Sequence, residues 1–76
     1  MPGIAHVHWK DFEKFLQAVG CRLVRERGDH RIWIRDGMKR PAVVQKLASL
    51  PPFTIKNNLR LLGVSVKEYL EIMRKV

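Results

Sequence analysis

The most informative part of the chain is the stretch CRLVRERGDHRIWIRDG, from Cys21 to Gly37. From Cys21 to Glu26, apolar and charged residues are interspersed at short spacing. From Arg31 to Arg35 the residues are rich in β-branched and aromatic side chains. Between these runs, Gly28-Asp29 has the composition of a tight turn. The stretch therefore predicts two antiparallel strands joined by a short hairpin turn.

A third strand is predicted immediately after this hairpin. Asp36-Gly37 is a strong signal for a second hairpin turn, and Pro41-Ala42-Val43-Val44-Gln45 is rich in β-branched residues. Proline suits the first residue or the edge of a strand, because it has no N–H to donate. The three strands should thus form an antiparallel meander without a crossover helix.

Helical patterns precede and follow the predicted strands in the sequence. An apolar stripe predicts a first helix at about 9–19, which Gly20 ends; its members are Trp9, Phe12, Phe15, Leu16 and Val19. After the break at Pro51-Pro52, apolar residues at helical spacing predict a second helix at about 54–62, closed by Gly63. Ser65 and Glu68 have the spacing of a capping box, which predicts a terminal helix near 66–75.

These elements predict a two-layer α+β fold in one domain, residues 1–76. A small sheet must bury one face against helices to be stable, so the order is expected to be helix, three strands, helix, helix. Residues 1–8 precede the first helix and are expected to be frayed. Cys21 is expected to be a small buried residue at the start of the first strand.

The composition points to a polyanionic partner. Fifteen Lys and Arg residues against seven Asp and Glu residues give a net charge of +8, which favours nucleic acid, with an acidic protein as the alternative. The single cysteine cannot form an internal disulfide, and the sequence has neither a signal peptide nor an apolar run long enough to span a bilayer. We therefore expect a cytoplasmic protein with no membrane partner.

Between residues 22 and 46, eight lysines and arginines oppose only three acids. This excess, continued by two cations on the second helix, predicts a surface that binds an RNA backbone, and a solvated charged surface is the alternative. The candidate RNA-binding residues are Arg25, Arg27, Gly28, Arg31, Trp33, Arg35, Lys39, Arg40, Lys46, Lys56 and Arg60.

Trp33 is a special member of this set. On a strand it shares a face with Arg31 and Arg35, opposite Ile32 and Ile34. If the isoleucines face the helices, the indole lies on an outer face flanked by arginines and could stack on a base. Two alternatives are a partner that covers this face, and cation–π contacts with the neighbouring arginines alone.

His30 is the candidate for acid–base chemistry. Cleavage of RNA by its own 2′-hydroxyl needs a base for that hydroxyl and an acid for the departing 5′ oxygen, and imidazole can serve near neutral pH. His30 enters a strand at a turn among several arginines, although spacing alone leaves an ordinary turn residue as the alternative. His6 and His8 lack a third ligand for a metal, so no metal or other cofactor is expected.

The residues from Asp11 to Tyr69 resemble the HicA family of toxin–antitoxin ribonucleases. The resemblance rests most specifically on the core Leu-Val-Arg-x-x-Gly-x-His, residues 23–30, and on the Thr-Ile-x-x-x-Leu-x-x-Leu-Gly-Val-Ser helix junction, residues 54–65. It implies a fold like the double-stranded RNA-binding domain, metal-independent cleavage of mRNA, and neutralisation by a HicB antitoxin. It also implies that His30 is the catalytic residue.

The sequence departs from the family pattern at two places. Asp29 stands where the family usually has serine, so an anion lies next to His30 and would repel an incoming phosphate. After the third strand the chain reads Gln45-Lys46-Leu47, where many relatives have proline and histidine. A non-catalytic module that binds RNA or an antitoxin is therefore the alternative function.

Overall fold

The computed structural model describes residues 3–76 and has the predicted α+β class and element order. Three helices pack with one three-stranded antiparallel sheet, whose strand order is β1-β2-β3. The elements in chain order are α1 Trp9–Ala18, β1 Arg22–Arg27, β2 His30–Ile34, β3 Ala42–Gln45, α2 Pro52–Leu62 and α3 Val66–Met73.

The helix ends follow local signals in the sequence. α2 begins at Pro52, two residues earlier than predicted, because a helix tolerates proline in its first turn, where the N–H would have no partner. It ends at Leu62, and the following Gly63 has a left-handed φ of 70° that suits glycine. The predicted capping box of α3 is confirmed. The Ser65 hydroxyl accepts from the Glu68 backbone N–H over 3.1 Å, and the Glu68 carboxylate accepts from the Ser65 backbone N–H.

The first hairpin is confirmed, and the second is looser than predicted. Arg27 pairs with His30 across the turn at Gly28-Asp29, and Gly28 has a φ of 61° that glycine adopts without strain. Asp36 and Gly37 also form a turn, but residues 35–41 separate β2 from β3. Pro41 consequently lies just outside the third strand.

The core fills the space between the helices and one face of the sheet. Its fully buried side chains include Phe12 and Phe15 from α1, Val44 from β3 and Ile55 from α2. Tyr69 of α3 contacts Phe15 edge-on, with 4.9 Å between ring centroids. All three helices thus contribute to one core.

Cys21 is buried, as predicted, and burial raises the pKa of its thiol, which disfavours the nucleophilic thiolate.

The prediction of a frayed N-terminal segment is wrong for residues 4–8. Ile4 is buried, Val7 pairs with Leu50, and the His8 side chain caps α1 by accepting from the Lys10 N–H over 3.1 Å. Met1 and Pro2 lie outside the described residues.

Candidate functional site

The sheet has one face toward the helices and one face open to solvent. Ala42 and Val44 are fully buried, so their cross-strand partners Trp33 and Arg31 also face the helices. The residues that alternate with them form the open sheet face, which consists of Arg22, Arg25, Arg27, His30, Ile32, Ile34, Val43 and Gln45.

The isoleucines do not face the helices, so the condition for an outward-facing Trp33 is not met. Its side chain is only 3% exposed, and its Nε1–H donates a hydrogen bond to Oε2 of Glu13 over 2.8 Å. The large indole fills the thin core, and a buried carboxylate of α1 satisfies its single polar group. Ile32 and Ile34 occupy the open sheet face instead, so Trp33 cannot serve as a base-stacking platform.

Arg31 is likewise bound within the protein. Its Nε donates to Oε2 of Glu13 over 2.5 Å, and its Nη1 donates to Oε1 of Glu26 over 2.6 Å. Lys46 donates to the other oxygen of Glu26. These five residues, Glu13, Glu26, Arg31, Trp33 and Lys46, are called the Glu13 network below.

The Glu13 network changes the charge that the hairpin presents. The hydrogen bond from Lys46 and the nearby Arg31 guanidinium lower the pKa of Glu26, and the bond to Glu13 raises the pKa of Arg31. Arg31 and Lys46 also lie over the Trp9 ring, at 5.3 and 5.9 Å from its centroid. Two of the predicted RNA-binding cations are therefore engaged by acidic and aromatic side chains.

Sequence reasoning missed Glu13, although a signal was present. Glu13 lies four residues after Trp9 and three before Leu16, which places it on the apolar stripe of α1. A carboxylate at such a position needs a buried partner. The net charge of α1 gave no such signal, because the charges of Lys10, Asp11, Glu13 and Lys14 cancel.

Arg35 joins the ends of two helices. Its Nη1 donates to the Val19 carbonyl over 2.7 Å, and its Nη2 donates to the Leu62 carbonyl over 2.5 Å. Carbonyls at helix C-termini carry partial negative charge and otherwise lack partners. Arg35 therefore has a structural position rather than the surface position expected for an RNA contact.

His30 begins β2 on the open sheet face, and its side chain is 47% exposed. Its Nδ1 lies 2.9 Å from Oδ1 of Asp29. Side chains of neighbouring strand residues point to opposite faces, but Asp29 belongs to the turn, so alternation does not apply to it. The contact places the carboxylate on the Nδ1 side of the ring and leaves Nε2 on the opposite side.

A row of three residues crosses the sheet at this end. Arg27 pairs with His30 on one side, and Gln45 pairs with it on the other. Cβ atoms of such cross-strand pairs lie about 4.5–5.5 Å apart. Arg27 is exposed, so a guanidinium and an imidazole reach the same patch of solvent.

The remaining predicted RNA-binding residues fall into three groups. Arg25 lies on the open sheet face, one row from His30, and Gly28 forms the adjoining turn. Lys39 and Arg40 are exposed in the loop 35–41, at the other end of the sheet. Lys56 and Arg60 are exposed on α2.

Three further structural facts concern metal groups, membrane-spanning helices and a cleft. Within residues 3–76, no three His, Cys, Asp or Glu side chains come together in a group that could hold a metal ion. A search of the same residues finds no helix with the length and apolar character needed to cross a membrane. A cleft of about 390 Å³ beside α1 is lined partly by His6 and His8 and does not include His30.

Comparison with known proteins identifies the family of the chain. The sequence model of a family described as the HicA toxin of bacterial toxin–antitoxin systems matches residues 9–64, from the start of α1 to just beyond α2. No curated protein and no solved structure matches the chain. The family match covers well over half of the sequence and includes the hairpin with His30. The chain therefore belongs to the HicA family of bacterial toxins.

Proposed function

We propose that this chain is a metal-independent endoribonuclease that cleaves mRNA in the cytoplasm, with His30 as its catalytic residue. The observation that carries the proposal is the exposed row in which Arg27 lies beside His30. A guanidinium can hold a phosphate through paired hydrogen bonds. An imidazole at the same patch can then exchange protons with that phosphodiester.

The chemistry needs no group beyond the RNA and the protein. Nε2 of neutral His30 takes the proton of the 2′-hydroxyl as O2′ forms a bond to phosphorus. The P–O5′ bond breaks, and the imidazolium returns its proton to the departing O5′. The products are a 2′,3′-cyclic phosphate and a free 5′-hydroxyl.

The RNA-binding residues in this proposal are a subset of those predicted from the sequence. Arg25, Arg27 and Gly28 lie near His30, whereas Lys56 and Arg60 are exposed on α2, which packs against the other face of the sheet. Lys39 and Arg40 contribute long-range attraction from the far loop. Membership of a toxin family also supports an antitoxin partner, for which we propose an acidic HicB-like protein.

The test compares cleavage of RNA by the purified wild-type protein and by His30→Ala in the presence of EDTA. We expect wild-type cleavage with 2′,3′-cyclic phosphate ends and a loss of about 10²–10⁴-fold in the variant, the usual contribution of a positioned acid–base group. His6→Ala is the matched control and should cleave normally. Wild-type rates in His30→Ala would contradict the catalytic assignment.

A second function is favoured by one specific contact. Oδ1 of Asp29 lies 2.9 Å from Nδ1 of His30 and places a negative charge beside the ring, which opposes the approach of a phosphate. A protein that binds RNA or antitoxin without cleaving would tolerate this charge. Salt-dependent RNA binding without cleavage, together with normal growth of cells that express the chain, would support this alternative.

A further inference from the structure

The outer side of α2 carries an exposed stripe of four residues. Phe53, Lys56, Asn57 and Arg60 are spaced by three, one and three residues, so they lie along one side of the helix, and all four are exposed. They are called the α2 stripe below. The opposite side of α2 is buried through Ile55, Asn58, Leu59 and Leu62.

Phe53 is the unexpected member of the α2 stripe. Its side chain is 68% exposed, whereas the other two phenylalanines of the chain, Phe12 and Phe15, are fully buried. A single exposed apolar side chain is common on protein surfaces, so the ring indicates a ligand only together with the charges beside it. It contributes nothing to the core that the other two rings build.

The charge around Phe53 identifies the kind of ligand. α2 contains no acidic residue, and neither Lys56 nor Arg60 has an ion-pair partner within residues 3–76. Arg31 and Lys46, in contrast, form ion pairs with Glu13 and Glu26. The positive end of the helix dipole adds to the same field near Phe53. An aromatic ring beside free cations matches the two parts of a nucleotide, a flat base and a phosphate.

Measured along the sheet, the α2 stripe begins at the end where His30 lies, although α2 packs against the face opposite to His30. Nδ2 of Asn58 lies 3.5 Å from the carbonyl oxygen of Val43, which pairs with Ile32, and Arg35 contacts the last turn of α2 at Leu62. α2 therefore advances in the same direction as β2. Phe53 precedes Asn58 by about 7.5 Å of helix rise, and His30 precedes Ile32 by about 6.6 Å of strand rise.

We propose that the α2 stripe binds single-stranded RNA, with the Phe53 ring stacked on an unpaired base and with Lys56 and Arg60 on neighbouring phosphates. Bases in a duplex are stacked on each other, so only an unpaired base can offer its face to the ring. The stripe spans about 10 Å of helix, the length of about three stacked nucleotides. This inference deepens the proposed function and rests on RNA being the substrate.

The experiment measures binding of a fluorescein-labelled single-stranded oligoribonucleotide in the His30→Ala background, where cleavage cannot consume the probe. Phe53→Ala should raise the Kd about tenfold, Phe53→Tyr should restore binding, and Phe53→Leu should remain as weak as Phe53→Ala. A duplex of the same length should bind equally well with or without the ring. Leu61→Ala, an exposed apolar residue of α2 outside the stripe, is the matched control and should bind normally.

Three results would overturn the inference. Unchanged RNA binding by Phe53→Ala would exclude the contact. Full binding by Phe53→Leu would show that apolar area rather than stacking is recognised. Normal RNA binding with weakened capture of a co-expressed antitoxin would assign the stripe to a protein partner. Far-UV circular dichroism checks that each variant is folded.

The same set of proteins separates this inference from the proposed function. If single-stranded RNA binding depends on Phe53 but wild-type protein does not cleave, the endoribonuclease proposal fails and the α2 stripe stands. If cleavage depends on His30 but binding ignores Phe53, only the α2 stripe fails.

Discussion

Oε2 of Glu13 accepts hydrogen bonds from two side chains of β2, Nε1 of Trp33 over 2.8 Å and Nε of Arg31 over 2.5 Å. One carboxylate of α1 thereby holds alternate residues of the strand on the helix side. Because strand side chains alternate, the same bonds direct His30 and Ile32 to the open sheet face. A residue outside the hairpin thus positions the candidate catalytic side chain.

Glu13→Ala should lower the free energy of unfolding by about 3 kcal/mol, because it leaves a buried indole N–H and a mostly buried guanidinium without their acceptor. Urea unfolding followed by tryptophan fluorescence measures the change. Glu71→Ala removes an exposed carboxylate and should change stability by less than about 0.5 kcal/mol. Equal effects of the two substitutions would contradict the role given to Glu13.

Arg27→Ala and Arg31→Ala should change different properties, RNA binding and stability respectively, although both remove an arginine near the same turn. Arg27→Ala should leave stability unchanged and reduce the salt dependence of RNA binding by about 0.7 in log–log slope, the loss of one phosphate contact to a single strand. Arg31→Ala should lower the free energy of unfolding by about 2 kcal/mol, because it breaks the Glu13 network. Parallel urea titrations and salt titrations measure both quantities, and a reversal of the two profiles would show that the assignment of the sheet faces is wrong.

Asp29→Ser should raise kcat/KM for RNA cleavage severalfold and strengthen RNA binding at low salt. The substitution removes a negative charge 2.9 Å from His30 and keeps an oxygen that can contact the imidazole. Single-turnover cleavage and RNA titrations at two salt concentrations measure the effect.

Asp36→Ser provides the matched control for Asp29→Ser. It changes the net charge equally but lies in the exposed turn at the other end of the sheet. If both substitutions raise cleavage by the same factor, the effect comes from net charge, and the local role of Asp29 is excluded.

Tyr69→Phe should keep or slightly increase stability at pH 7 and remove part of its loss in alkali. The Tyr69 hydroxyl is buried and has no hydrogen-bond partner within residues 3–76, so its removal should gain up to about 1 kcal/mol. Burial raises the pKa of Tyr69 to about 12, above its value of about 10 in the unfolded chain.

The sign of the alkaline effect follows from this shift. Stability that depends on the protonated hydroxyl is complete below about pH 10 and is lost as the pH rises toward about 12, because only the unfolded chain releases the proton there. Urea unfolding at pH 7, 10 and 11 should show the advantage of Tyr69→Phe growing above pH 10. A constant difference between the two proteins would contradict the buried, protonated phenol.

The order of helices and strands could be read from the sequence because its signals are local. Gly28-Asp29 terminates a strand within a few residues, Ser65 and Glu68 cap a helix within one turn, and apolar spacing marks each amphipathic side. The place of His30 beside the turn could also be read in this way, but its candidacy as a catalytic residue came from the resemblance to the HicA family. The prediction of a frayed N-terminal segment was wrong because Val7 pairs with Leu50, which is far from it in the sequence.

Alternation by itself established that Trp33 and Ile32 lie on opposite faces of β2, but not which of them faces the helices. Tertiary structure made that choice, because a thin core has room for one large indole and Glu13, twenty residues from Trp33, supplies its acceptor. The same choice turned Arg31 and Arg35 inward and left His30, Arg25 and Arg27 outward. The sequence determined which residues alternate, and contacts between distant segments decided which of them meet solvent.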